Sequence, residues 1–365
     1  MSFSKRMSRI KPSGIRAVQK RIAGKSDMIS FAAGLPDPAL YPLEDLRKAA
    51  DTMLEKEGAT AFAYGLTKGY GPLLDYLTDR MNNREHVECT KENICILSGS
   101  QQGLGLAAMT FLDEGDVVIT ENPSYLGAIN AFRPYGAEFV GVDTDDDGIV
   151  IEDLERALEE NPNTKLIYVI PNFQNPTGKA WTLERRERFM EVVAKYDVAV
   201  VEDNPYGDLR FKGEPLPHLR ALDKKGQVIY LGSFSKILSP GMRVAWTCAS
   251  KEVATAFESL KETNDLQSPE LTQMLTYYYL KMFNLEKHIE EIQVVYKERC
   301  ELMVEMIQKY FPAEIKYTDP EGGMFLWLEL PEGLDSDAIL DDALAAGIAY
   351  IPGESFFSFD GVKNT

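Results

Sequence analysis

Through the middle of the chain, short β-branched runs alternate with stretches of helical periodicity. Residues 94–97 (Ile-Cys-Ile-Leu) read as a strand and 100–112 as a helix. The same alternation predicts strands over 117–119, 139–142, 166–170, 198–201, 228–231 and 244–247, with helices over 125–132, 152–159, 183–195 and 251–262. Apolar strands separated by helix-length segments indicate parallel pairing through crossover helices, an α/β sheet covered on both faces. Beyond residue 266 the pattern changes. Two long helical stretches, 270–282 and 285–310, precede strand-like 324–330, a helix near 336–346 and apolar 348–351. That reads as an α+β appendage joined by the long helix. At the other end, Pro12, Gly14, Gly34, Pro36, Pro38 and Pro42 mark an irregular arm. The expected organisation is an arm over 1–45 contributing to a small domain, a large domain over 46–285 and a small C-terminal domain over 286–365.

Composition agrees with a folded chain and narrows its partners. With 365 residues, 44% hydrophobic and 26% charged, a sizeable core is available. Lys and Arg total 39 against 57 Asp and Glu, a net charge of −18. Such a surface repels phosphate backbones and anionic membranes, so neither nucleic acid nor membrane is an expected partner. Any bound anion must meet a local, preorganised positive site. The 4 cysteines (Cys89, Cys95, Cys248, Cys300) contain no C-x-x-C pair, and His86, His218 and His288 are scattered. No disulfide framework and no metal site are expected, and reduced thiols suit a cytoplasmic protein. The N-terminus lacks the apolar segment of a signal peptide, and no apolar run is long enough to span a membrane.

Two motifs fail on inspection. Asp143-Thr-Asp145-Asp-Asp147-Gly148 opens like a calcium loop, but its twelfth position is Leu154, not the bidentate Glu. It reads as an acidic turn. Ser233-x-x-Lys236 has no S-D-N or K-T-G beside it, so the β-lactamase reading falls.

Four further elements lie after predicted strands, where an open α/β sheet places its ligands. Ser98-Gly-Ser-Gln-Gln-Gly103 opens a helix and reads either as a serine N-cap or as a phosphate cradle. Asn175-Pro176-Thr-Gly178 alone is an ordinary turn. Val201-Glu-Asp203-Asn-Pro205-Tyr206 alone is a strand ending in surface carboxylates. In Ser233-Phe-Ser235-Lys236 and Arg243 the charges alone are solvated ones. Together the four resemble the active site of fold-type-I pyridoxal-phosphate enzymes, the aspartate-aminotransferase superfamily. The chain is most similar to the class I subgroup of aminoadipate and kynurenine aminotransferases and the aminotransferase-like half of MocR-type regulators. The resemblance runs from Lys11-Pro12-Ser13-Gly14-Ile15-Arg16 through Phe31-Ala-Ala-Gly34-Leu35-Pro36 to Pro352-Gly353-x-x-Phe356.

That resemblance implies the pyridoxal-phosphate transferase fold: a mostly parallel central sheet flanked by helices, plus a small α+β C-terminal domain. It implies pyridoxal 5′-phosphate as cofactor and Lys236 as the Schiff-base lysine. Asp203 would face the pyridine nitrogen, Asn175 and Tyr206 the ring's 3′ oxygen, and Tyr125 the ring face. Ser100, Gln101, Ser233, Ser235 and Arg243 would hold the phosphate, the positive site that the acidic total demands. Tyr64 would reach the phosphate of a second subunit, implying a homodimer. Gly34 and Asn175 would meet the substrate. The family also fixes the substrate carboxylate with an arginine shortly after Pro-Gly-x-x-Phe. Here the last arginine is Arg299, so the small domain is expected to end short of a strand and closing helix.

The implied activity is ping-pong amino transfer between an amino acid (aromatic, aminoadipate-like or similar) and a 2-oxo acid such as 2-oxoglutarate. A β-lyase on the same scaffold is one alternative. Another is the effector-sensing domain of a MocR-type regulator, which the acidic charge and the early position of Gly34-Leu-Pro both disfavour.

Overall fold

The computed structural model describes residues 2–10, 18, 20–24, 28–32, 34–358 and 362–365. The run at 11–16 that enters the family resemblance lies outside the described residues. The first strand, β1 (Ile29–Ser30), belongs to a small pair at the end of the molecule. The central sheet takes β2 (Ile94–Leu97), β3 (Val117–Asn122), β4 (Glu138–Asp145) and β5 (Gly148–Ile149). It continues with β6 (Thr164–Val169), β7 (Ala199–Asn204), β8 (Val228–Ser233) and β9 (Ala245–Cys248). The order across it is β2-β9-β8-β7-β6-β3-β4-β5.

β8, β7, β6, β3 and β4 run parallel to one another, as the crossover pattern predicts. β9 departs from that pattern and is antiparallel to both β8 and β2. The physical reason is length: residues 234–244 hold a short 3-10 turn (Pro240–Met242) and no crossover helix, so the chain returns beside β8. β5 likewise folds back on β4 through the Asp145–Gly148 turn, where Asp147 N donates to Asp145 Oδ1 at 2.9 Å. The calcium-like motif is thus the acidic turn expected.

Alternation along the strands feeds two cores. Leu166 and Tyr168 of β6 and Ala199 and Val201 of β7 enter one with helix Ser100–Phe111. Ile167, Val169 and Val200 enter the opposite core with helices Ile151–Glu160 and Leu183–Val193. Burial on both faces is why these strands read as continuous apolar runs. A third core joins Trp246 of β9 to helices Leu43–Ala61, Gly71–Asn83 and Glu270–Met282.

Helix Leu285–Tyr310 leads to β10 (Lys316–Tyr317) and β11 (Leu328–Glu329), an antiparallel pair. After helix Ser336–Ala345 comes β12 (Ile348–Ala349), parallel to β1. A small core of Val18, Ala32, Leu340, Leu344 and Ala349 lies there. The strand predicted over 324–330 is mostly not a strand. Met324 and Phe325 leave the sheet geometry to pack against the central cores, after Gly323 turns the chain at φ +77°. No helix among the described residues is long and apolar enough to cross a membrane.

Candidate active site

The antiparallel strand is what assembles the site. Leu97 of β2 and Ser233 of β8 are both register partners of Ala245 at the start of β9. The end of β2, the end of β8 and the entry to β9 therefore share one edge. Ser98–Ser100, Ser233–Lys236 and Arg243 meet there. A parallel β9 would have carried Arg243 to the opposite end.

Helix Ser100–Phe111 begins at this edge with Gly99 as its N-cap, and no side chain caps it. The serine-cap reading therefore fails, and the first N–H groups stay available for an anion. Gly99 has φ +89°, and a Cβ there would fall 2.0 Å from Arg243 Nη2. The absent side chain admits the guanidinium, which donates to Ser98 O at 3.1 Å. Arg243 itself sits at φ +55° in the left-handed region, a costly conformation for a non-glycine residue, and faces solvent on this chain. Ser233 Oγ donates to Ser235 Oγ at 2.9 Å and accepts from Ser235 N at 3.0 Å. Gln101 turns its amide to Gly127 O at 2.9 Å, beside Tyr125.

Lys236 Nζ donates to Gly34 O at 3.1 Å and lies 5.7 Å from the centre of the Tyr206 ring. Burial first, and the charge of Arg243 second, lower its pKa to about 8. Gly34 has φ +52°, and a Cβ there would fall 2.4 Å from the Phe325 ring. Phe325 in turn meets Tyr206 edge-on at 5.3 Å. Asn175 Nδ2 reaches Tyr206 Oη in a long bond of 3.4 Å. Asp203 is 3% exposed, accepts from Tyr168 Oη at 2.9 Å, and is pushed by burial up to about 7. Burial and the nearby Asp203 raise the Tyr125 phenol as well. Tyr64 stands apart, 87% exposed on this chain.

Sequence reasoning missed three contributors. Tyr168 lies inside an apolar run and carried no sign of a polar duty. Gly99 stood within a named motif, but its clearance for Arg243 is a long-range contact. Phe325 fell in a stretch assigned to a strand.

A match to the family model described as aminotransferase class I and II covers residues 26–360. The chain belongs to that family: an aminotransferase with the aspartate-aminotransferase-like fold and pyridoxal 5′-phosphate as cofactor. It is 42% identical to aromatic-amino-acid aminotransferase 1 of Thermococcus litoralis, over 100% of this chain and 88% of that protein. It is 39% identical to 2-aminoadipate transaminase of Thermus thermophilus, over 100% of this chain and 90% of that one. The crystal structure of Pyrococcus horikoshii kynurenine aminotransferase, in complex with PMP, KYN and KYA, superposes with a TM-score of 0.95. That match has 40% identity and covers 99% of this chain and 90% of the other.

The side chains here fit that cofactor. Ser100 Oγ, Asn175 Oδ1 and Asp203 Oδ1 are buried with no hydrogen-bond partner among the described residues. Buried polar atoms are nearly always paired, and each orphan costs about 1–3 kcal/mol. A phosphate suits Ser100 with Ser233, Ser235 and Arg243. A ring nitrogen suits Asp203, and a 3′ oxygen suits the stretched Asn175–Tyr206 pair.

Proposed function

We propose that this aminotransferase moves an amino group between an aromatic or aminoadipate-like amino acid and a 2-oxo acid such as 2-oxoglutarate, by ping-pong exchange at Lys236. The observation that carries the reading is the convergence of a lysine of lowered pKa, an orphaned buried carboxylate and a cationic serine-lined cup on one sheet edge. Pyridoxal phosphate, when bound, supplies an electron sink for the pair left by a departing Cα proton. The chain's own groups do the rest. With a pKa of about 8, Lys236 Nζ is neutral often enough near neutral pH to take that proton and return it. Asp203 holds the ring nitrogen's proton through its unpaired Oδ1. Asn175 and Tyr206 hold the 3′ oxygen, and Tyr125 covers the ring face. Ser100, Gln101, Ser233, Ser235 and Arg243 hold the phosphate, and Gly34 keeps backbone close to the substrate.

The reading extends to the assembly. Arg243 and Tyr64 are exposed on a single chain, and Phe62 and Leu66 beside Tyr64 are 74% and 72% exposed. A homodimer in which Tyr64 closes the partner's phosphate cup accounts for that apolar rim. The arm over 1–45 and residues 286–365 would form the small domain against a large one over 46–285. The location that fits 4 free cysteines and an acidic surface is the cytoplasm.

An absorbance titration tests the reading. Added pyridoxal phosphate should give a visible band that Lys236→Ala abolishes. An aromatic or aminoadipate donor should bleach it, and 2-oxoglutarate should restore it. A band that no amino donor bleaches, or that no 2-oxo acid restores, overturns amino transfer.

A further inference from the structure

Asp203 has two carboxylate oxygens with different circumstances. Oδ2 accepts from Tyr168 Oη at 2.9 Å, while Oδ1 is buried without a partner among the described residues. Tyr168 is placed for this by sheet register. It is paired across from Val201, and Asp203 lies two residues further along β7 on the same face. A diagonal neighbour across a parallel pair lies within reach of a long aromatic side chain. Tyr168 is 0% exposed, and its ring packs edge-on against Phe132 at 6.0 Å. The other titratable groups that face Asp203 are the phenols of Tyr125 and Tyr206, and neither bonds to it among the described residues. Among the described residues Tyr168 is thus the sole donor to the carboxylate, and which oxygen stays open depends on it.

We infer that Tyr168 is a positioning residue: its hydroxyl ties down Oδ2 of Asp203 and leaves Oδ1 as the oxygen presented to the cofactor's ring nitrogen. The inference rests on the reading of Asp203 as the ring-nitrogen partner. A carboxylate anchored at one oxygen loses the freedom to rotate and keeps its negative charge on the open one. Both effects matter for a group buried as deeply as Asp203. A tyrosine in this role contributes nothing to a ligand that lacks the nitrogen. That separates positioning from ordinary core packing.

The test is a pair of affinities measured on apoprotein prepared from the full chain. The probes are pyridoxal 5′-phosphate and its 1-deaza analogue, in which a C–H replaces the ring nitrogen. Tyr168→Phe keeps the ring and its packing and removes one oxygen. It should weaken pyridoxal phosphate about tenfold, as expected for a hydrogen bond to a charged group, and leave the analogue's affinity unchanged. Phe132→Leu loosens the packing around Tyr168 but keeps its hydroxyl, and should leave the ratio of the two affinities where it was. Equal weakening of both probes by Tyr168→Phe, or no weakening of either, overturns the inference alone. So does a shift of the ratio by Phe132→Leu as large as that by Tyr168→Phe. If the unsubstituted chain binds both probes equally well, the reading of Asp203 falls, and this inference falls with it.

Discussion

Glu202 and Asp203 are consecutive carboxylates at the end of one strand, 0% and 3% exposed, and they have opposite surroundings. Alternation sends them to opposite faces of the sheet. Glu202 accepts from Leu219 N and Arg220 N, both at 2.9 Å, and His218 Nδ1 lies 3.4 Å from its Oε1. His218 is held in turn by Glu85 at 2.9 Å. Among the described residues Asp203 has one donor, Tyr168, and an orphaned oxygen. Burial alone therefore does not separate a structural carboxylate from a functional one. The difference is whether the protein completes the hydrogen bonding itself or leaves it for a ligand.

Removing each charge should break the comparison in different currencies. Asp203→Asn is expected to lower kcat about 10³-fold, the upper range for loss of an electrostatic stabiliser. The same variant should be the more stable one without cofactor. The folded carboxyl, at about 7, holds its proton more tightly than an unfolded aspartate does. The contribution of this one group to wild-type stability is therefore fully present below about pH 4 and is lost as pH rises to 7, a loss of up to about 4 kcal/mol that an amide does not share. Denaturant unfolding of both apoproteins at pH 8 checks this. A less stable Asp203→Asn chain there would mean that the orphaned oxygen is paired after all.

Glu202→Ala should show the reverse. It strands two N–H groups and leaves the His218 ring with one carboxylate, so stability should fall by about 3–5 kcal/mol. Activity per folded molecule should stay at the wild-type level. Unfolding midpoints alongside kcat normalised to bound cofactor separate the two. A kcat loss comparable to that of Asp203→Asn would dissolve the distinction between the faces.

How much of this was legible in the chain follows the same divide. The strands of the central sheet other than the two-residue β5, and the long helices Glu270–Met282 and Leu285–Tyr310, stand where periodicity puts them, because both faces of the sheet are buried. Helices Leu43–Ala61 and Gly71–Asn83 were not read, although Ala49 and Met53, and Leu73, Leu74, Leu77 and Met81, carry helical spacing. A non-helical Glu57 beside Gly58 interrupts the first of them. The polar residues at strand ends were legible as a set through the family pattern. Their partners were not, since Tyr168 and Gly99 act through contacts made by sheet register and by the antiparallel turn into β9. A local pattern carries no information about which distant group completes a hydrogen bond.

The smallest effect lies on the structural side and sharpens the comparison along the pH axis. Burial works against a charged His218, but Glu202 and Glu85 outweigh it and raise the imidazole to about 9. An unfolded histidine titrates near 6.5, so the folded state holds the proton more tightly. The stability this contributes is fully present below about 6.5 and is lost as pH rises through 9, about 3 kcal/mol at most. His218→Gln should flatten that alkaline slope in denaturant unfolding curves. The slope should persist when pyridoxal phosphate is bound, because the groups that cause it lie on the face away from Asp203. The Asp203 slope, between about 4 and 7, should vanish on cofactor binding, because a protonated ring nitrogen gives its carboxylate the missing partner. Two windows, one closed by ligand and one indifferent to it, would be the two faces of β7 read from a single curve. An alkaline slope that also disappears with cofactor would couple the faces and remove the basis for treating them apart.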